Sequence, residues 1–255
     1  MEQQARIVGL YRYPVKGLTP EPLERVTLSP GATFPLDRAW AIENGPTGFD
    51  PAAPKYLPKI RFLMLMRNER LAALDTRLDD ATTTLTIRRD GVVVAAGRLD
   101  TADGRAAIEA FFDAYEADEL RGPAKVLHAP GFSFSDVAAK VVSLINLESV
   151  RDLGSRIGAE VHPLRFRGNM LVEGLPAWSE LGLEGRRITA GGVVFEGHKR
   201  IVRCAATNVN PDSAARDMEL PRALHDAYGH SDCGLYLRVV EGGETRVGDP
   251  VTIDP

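Results

Sequence analysis

Two cysteines, Cys204 and Cys233, occur in the 255 residues of this chain. Cys204 stands in GHKRIVRCAATNVNPD, behind His198, Lys199, Arg200 and Arg203. Thiolate is the form of cysteine that attacks carbon or binds a soft metal, and neighbouring cations favour it. Cysteine is also among the most often buried residue types, so a core side chain beside solvated charges is the competing reading. A second basic group lies in HPLRFRGNMLVEG. In an extended segment Arg165, Arg167 and Asn169 would line one face, and Phe166, Gly168 and Met170 the other. Two guanidinium groups and an amide on one face suit phosphate or another oxyanion, since guanidinium donates in pairs to neighbouring oxygens. Further candidates are Lys16 in the turn of YRYPVKG, Arg38 after Asp37 at the start of a strand, and Ser133, Ser135 and Asp136 in GFSFSDVAAK. A Cys-His hydrolase would need His198, His225 or His230 as its base, but none of these sits in a recognisable nucleophile motif.

The elements that must position these residues are mostly strands. ARIVGLYRYP, the short run inside VKGLTPEPLERVTLSPG and LDRAWAIENG read as strands, and Asp90-Gly91 between two β-branched runs is a strong hairpin signal. Then Ile108, Phe111, Phe112 and Tyr115 recur at helical spacing in TADGRAAIEAFFDAYEADEL, which predicts an amphipathic connecting helix. AKVVSLINLESVRDLGSRIG reads as strand, N-cap and helix. NMLVEG, RRITAGGVVFEG and KRIVRCAAT read as strands, the last placing Arg203 and Cys204 on opposite faces. LPRALHDAYGH repeats the helical spacing, and two or three short strands close the chain. The expectation is a mostly β, α+β protein, a barrel or sandwich decorated by helices. It would divide into a β-rich unit with its connecting helix over 1–118 and a second unit over 119–255.

Composition excludes several classes. With 31 basic and 35 acidic residues the net charge is -4, which argues against general nucleic-acid binding and gives a local basic cluster more meaning. No basic-then-apolar export signal opens the chain and no run reaches the length of a membrane span, so a cytoplasmic protein with no membrane partner is expected. No zinc spacing, dinucleotide fingerprint or P-loop occurs.

Taken in order, YPVKG, DRAW, FSD, RFRGN, AWSEL, RIVRCAATNVNPDS and VGDPV resemble the MOSC-domain proteins. The likeness is to the branch with an N-terminal MOSC β-barrel domain, which includes the mitochondrial amidoxime-reducing components and bacterial relatives, and it covers nearly the whole chain. It implies an N-terminal MOSC β-barrel domain followed by a MOSC barrel. It also implies that Cys204 coordinates molybdenum of the molybdenum cofactor, a pterin dithiolene with a terminal phosphate. Lys16 with the backbone at Gly17, Arg38, Ser135, Asp136, Arg167, Asn169 and Arg203 would hold the pterin and its phosphate. The sequence departs from its relatives at Gly17, where serine is common, and at Asn210, where an acidic residue is usual. The implied reaction is two-electron reduction of N-hydroxylated small molecules. Since no ferredoxin-like cysteine set exists, electrons would come from a separate ferredoxin-, flavin- or cytochrome b5-type protein. Two rivals stand beside this: sulfur transfer through a Cys204 persulfide, and a non-catalytic carrier of the cofactor.

Overall fold

The apolar run after the N-terminus forms β1 (Arg6–Arg12), and the Pro- and Gly-rich stretch behind it carries only short strands, β2 (Glu21–Leu23), β3 (Arg25–Leu28) and β4 (Trp40–Glu43). The computed structural model describes residues 4–254. Next come β5 (Asp75–Asp79), β6 (Thr84–Arg89) and β7 (Val92–Arg98), a three-stranded antiparallel sheet. Asp90 and Gly91 join β6 to β7 with φ of 53° and 76°, the left-handed pair that a two-residue hairpin of this twist requires. Helix α1 (Ala102–Tyr115) is capped by the Thr101 hydroxyl and buries Ile108, Phe112 and Tyr115, as the spacing predicts, with Phe111 half-buried at the edge. Strand β8 (Lys125–His128) then pairs with β4.

The remaining elements are β9 (Val142–Asn146), α2 (Leu147–Ile157), β10 (Met170–Glu173), β11 (Arg187–Ala190), β12 (Val193–Val202), α3 (Leu220–Tyr228), β13 (Asp232–Glu241), β14 (Gly243–Arg246) and β15 (Val251–Ile253). They build an eight-stranded sheet in the order β15-β11-β12-β13-β9-β10-β1-β2. Only the β9–β10 pair is parallel within it, with α2 as its crossover. Strands from both sides of residue 118 therefore share one sheet, and β3 likewise pairs with β14. The sheet curls until its ends meet: Ile7 N–H donates to Asp249 O at 2.9 Å and Val251 N–H to Ala5 O at 2.7 Å.

Three large apolar cores follow from this, with a smaller fourth of Ala41, Phe62 and Phe134. Ile7, Leu10, Leu144, Met170, Phe195 and Leu235 fill the curled sheet. Leu63, Leu71, Ile87, Ile108 and Phe112 fill the unit of β4 to β8 and α1. Leu153, Phe166, Leu220, Leu224 and Cys233 pack α2 and α3 on the outer face of the sheet. The loops between these cores are left to meet one another, and they form the site.

Candidate functional site

Each loop is fixed by its own backbone before any side chain reaches the site. Lys16 follows an isolated bridge between Val15 and Trp40, and its N–H donates to Trp40 O at 2.8 Å. Gly17 has φ +85°, a conformation that favours glycine, and a Cβ there would stand 3.1 Å from Leu63 O. Arg38 does not open a strand as expected. It lies in a turn with φ 51°, its N–H donating to Tyr13 O at 2.7 Å while Asp37 Oδ1 accepts the Tyr13 N–H at 2.8 Å. Phe134 N–H then donates to Arg38 O at 2.8 Å, which brings Ser135 and Asp136 alongside.

The extended reading of HPLRFRGNM is corrected. Pro163–Phe166 is a 3-10 turn, as expected after a proline that pre-sets φ, and Arg167 follows in the left-handed region at φ 51°. The alternation is thereby broken. Arg165 donates to Asn208 O at 3.1 Å and to Asp217 at 2.7 Å, while Arg167 Nη2 donates to Leu18 O at 2.9 Å. Two non-glycine residues at positive φ, Arg38 and Arg167, store backbone strain at one place, roughly 1–3 kcal/mol each for such geometry. The strand reading of KRIVRCAAT also ends early. β12 stops at Val202, and Cys204 precedes a 3-10 turn over Ala205–Asn208, so Arg203 and Cys204 reach the same cavity instead of opposite faces.

That cavity holds about 270 Å³. Lys16, Gly17, Arg38, Ser135, Asp136, Arg167, Asn169, Arg203 and Cys204 all line it. Its wall carries eight cationic side chains, Lys16, Arg38, Lys59, Arg165, Arg167, Lys199, Arg200 and Arg203, against two carboxylates, Asp37 and Asp136. In a chain of net charge -4 this is a concentrated field for an anion. His198, His225 and His230 are not on the wall, so no imidazole stands ready as a base for Cys204.

Asp136 is the local counter-ion. Lys16 Nζ donates to its Oδ1 and to Phe134 O at 2.8 Å, and Lys59 Nζ donates to its Oδ2 at 3.3 Å. Burial pushes the Asp136 carboxyl up, but Lys16 and Lys59 together outweigh it and hold the group well below the usual carboxylate range. Burial lowers Lys16, with Asp136 opposing. Arg167 has no ion-pair partner among the described residues, and burial, with Arg38 adding, brings it down to about 10.

Residues 4–120 match the MOSC N-terminal beta barrel domain and residues 130–252 match the MOSC domain. The chain belongs to the MOSC-domain proteins. Mitochondrial amidoxime reducing component 2 of Rattus norvegicus is 30% identical over 122 residues, 43% of this MOSC protein and 36% of that one. Mitochondrial amidoxime-reducing component 1 of Mus musculus is 27% identical over 131 residues, 47% and 37% of the two chains. The matched region thus spans little more than a third of the length of these relatives. Among solved structures, the YUAD protein from Bacillus subtilis covers 98% of this chain and 96% of its own, at 13% identity and a TM-score of 0.47.

Two residues at the cleft were not singled out in the sequence: Lys59, which had no signal, and Tyr13, which opens the YPVKG motif. Lys59 Nζ donates to Cys204 Sγ at 3.1 Å, across a separation of 145 residues. Burial disfavours its charge, but Asp136 and the sulfur outweigh that and raise its pKa. Tyr13 is buried between two guanidinium groups, with Arg38 4.4 Å and Arg167 4.3 Å from its ring centre, and its hydroxyl donates to Gly168 O at 3.1 Å. It is the spacer that holds both arginines, a cation–π arrangement that tolerates like charges on either face. Asn169 spends most of its amide inside the fold, accepting from Ser143 N–H and Oγ and donating to Tyr11 O at 3.1 Å, which leaves one N–H for a ligand. Asn210 is off the cavity wall, and its amide donates to Asp217 at 2.8 Å.

A stability measurement isolates Asp136. Its folded pKa lies below its unfolded value near 3.9, so in that window the unfolded chain binds more protons and stability rises with pH. The contribution is therefore complete above about pH 4 and is lost as pH falls below it. Urea unfolding of cofactor-free protein between pH 2.5 and 6 is expected to show this slope in wild type and a flatter curve in Asp136→Asn. Identical slopes would show that the two lysine contacts add nothing.

Proposed function

We propose that this MOSC-domain protein binds the molybdenum cofactor in the cleft and reduces N-hydroxylated compounds with electrons from a separate redox protein. One observation carries the reading. Nine residues singled out in the sequence, from distant segments, line one cleft whose wall has eight cations and two carboxylates.

The donor set fits the group. A pterin dithiolene phosphate brings several negative charges, and Arg167 and Arg203 offer guanidinium groups with no carboxylate partner among the described residues. Arg165, on the same wall, keeps a buried Nε–H without a partner among the described residues. Lys16, Arg38, Arg167 and Arg203 would hold the phosphate and offset the dithiolene charge. The Gly17 backbone, the Ser135 hydroxyl and the remaining Asn169 N–H add donors, and Asp136 has the acceptor for a ring N–H of a pterin. Cys204 Sγ is the soft protein ligand the metal would take, and no cluster of three or more His, Cys, Asp or Glu competes with it among the described residues.

When bound, the molybdenum centre supplies a two-electron couple for breaking an N–O bond. The chain does the rest. Lys59 holds the Cys204 sulfur at the cleft and is itself held by Asp136. Tyr13 holds both Arg38 and Arg167 against its ring before any anion arrives, which lowers the reorganisation needed on binding. The relatives' names, amidoxime reducing components, support N-hydroxylated amidines as the substrate class.

Protein made in a host that synthesises the cofactor is expected to carry molybdenum and pterin near one per chain. Elemental analysis with no molybdenum would sink the proposal, and a persulfide on Cys204 in its place would favour sulfur transfer.

A further inference from the structure

Two segments meet at the mouth of the cleft through the contact between Lys59 and Cys204. One is AAPKYLPKIR, Ala52 to Arg61, and the other GHKRIVRC, Gly197 to Cys204; neither contains an acidic residue. Lys55, Arg61, Lys199 and Arg200 are exposed and have no ion pair among the described residues. Two of the carboxylates nearby are engaged, Asp136 by the two lysines and Glu184 by the backbone N–H of Arg200 at 2.8 Å, while Asp232, opposite Val202 in the β12–β13 register, is a single counter-charge to the cations of the rim. Large apolar side chains are exposed in the same place. Val202 is 68% exposed, Ile60 45% and Tyr56 44%, and Tyr56 is pinned there by its hydroxyl, which donates to Asp136 O at 3.0 Å.

An apolar centre ringed by unpaired cations is the surface of a transient complex with an acidic partner, in which charge sets encounter rate and orientation. We propose that this rim is the docking surface for an acidic electron-carrier protein. The inference rests on the reductase reading above. Reduction of an N-hydroxyamidine consumes two electrons and two protons, breaks the N–O bond, and yields an amidine and water. These 255 residues contain two cysteines and no dinucleotide fingerprint, and on the reductase reading the electrons come from a reduced flavin, iron–sulfur or haem protein, singly or as a pair. Cys204, half-buried and two residues from Val202, lies directly behind the rim.

The test runs the holoenzyme on benzamidoxime with two kinds of reductant. Reduced methyl viologen is a small dye that needs no docked complex; reduced flavodoxin, ferredoxin and cytochrome b5 are the acidic carriers. Lys55→Glu/Arg61→Glu, two rim cations that do not line the cleft, is expected to lower kcat/KM for the best carrier about tenfold or more at low salt and to remove most of its salt dependence. Lys55→Arg/Arg61→Lys should restore it, and the rate with viologen should stay within about twofold in both variants, as expected for residues that act on encounter. Fluorescence anisotropy of a labelled carrier titrated onto cofactor-free protein should lose affinity in the same variant, without any turnover. Equal carrier-driven rates in wild type and charge-reversed protein would overturn the proposal. So would equal loss with both reductants, which would assign the rim to the substrate, or failure of all three carriers where viologen succeeds. If viologen drives no reduction in wild type, the reductase reading fails instead, and the anisotropy series alone decides the docking surface.

Discussion

Cys204→Ser is expected to abolish reduction of an N-hydroxylated amidine, while Cys233→Ser keeps its activity per folded molecule. Serine keeps nearly the volume of cysteine but replaces a soft sulfur by a hydroxyl that stays protonated near neutral pH, so a metal at that position loses its protein ligand. Cys204 is half-buried at the cleft, and its sulfur accepts a hydrogen bond from the flexible end of Lys59, so the same change should leave the melting temperature close to wild type. Cys233 is the reverse case. It is fully buried beside Leu220 and Leu224 in the outer core, and burial pushes its thiol up to about 12. A serine there buries a hydroxyl among apolar side chains at a cost of about 1–3 kcal/mol. That corresponds to several degrees of melting temperature, at about 2–4 °C per kcal/mol for a chain of this size. The assay supplies a reductant and an N-hydroxylated amidine and follows amidine formation beside thermal unfolding. Full activity in Cys204→Ser would refute metal ligation by that residue. Loss of activity per folded molecule in both variants would point to a shared redox role.

Arg167→Ala separates ligand binding from folding at a single position. The guanidinium makes one hydrogen bond to Leu18 O, lies against Tyr13, and has Arg38 on the other face of that ring. In cofactor-free protein it is a buried cation beside another cation, and its lowered pKa of about 10 reports the cost of keeping it charged there. Removing it relieves that cost, which offsets the lost hydrogen bond and packing, so the melting temperature of cofactor-free protein should change little. Retention of the cofactor should fall sharply. Loss of a charge-assisted hydrogen bond is worth about 1.5–3 kcal/mol, roughly ten- to hundredfold in affinity. Residual molybdenum and pterin per chain after dialysis measure the effect, and Arg167→Lys, which keeps charge without the planar fork, should fall between. An equal drop in melting temperature in cofactor-free protein, with retention unchanged, would make Arg167 a structural residue.

Local pattern was enough for some elements and not for others: β5 and β8 carried no clear signal, and β12 runs unbroken from Val193 to Val202 across two segments that read as separate strands. The spacing of Ile108, Phe112 and Tyr115 determined α1, and Asp90-Gly91 determined the β6–β7 hairpin, because each signal lies within a few residues and is read by the backbone directly. The ordered motifs from YPVKG to VGDPV determined the family and named the residues that line the cleft, since each motif marks a loop whose geometry the fold reuses. Periodicity failed where the chain leaves regular structure. Arg167 and Arg38 take left-handed backbone that no alternation anticipates, and the 3-10 turn at Pro163–Phe166 turns Arg165 toward Asp217. The contact of Lys59 with Cys204 belongs wholly to the tertiary structure, and so does the role of Tyr13, although YPVKG contains it. A lysine reaches a sulfur 145 residues away only after the sheet has curled and the loops between the apolar cores have been pressed together. The concentration of eight cations around two carboxylates has the same origin, because a chain of net charge -4 shows no such excess until folding decides which charges are neighbours.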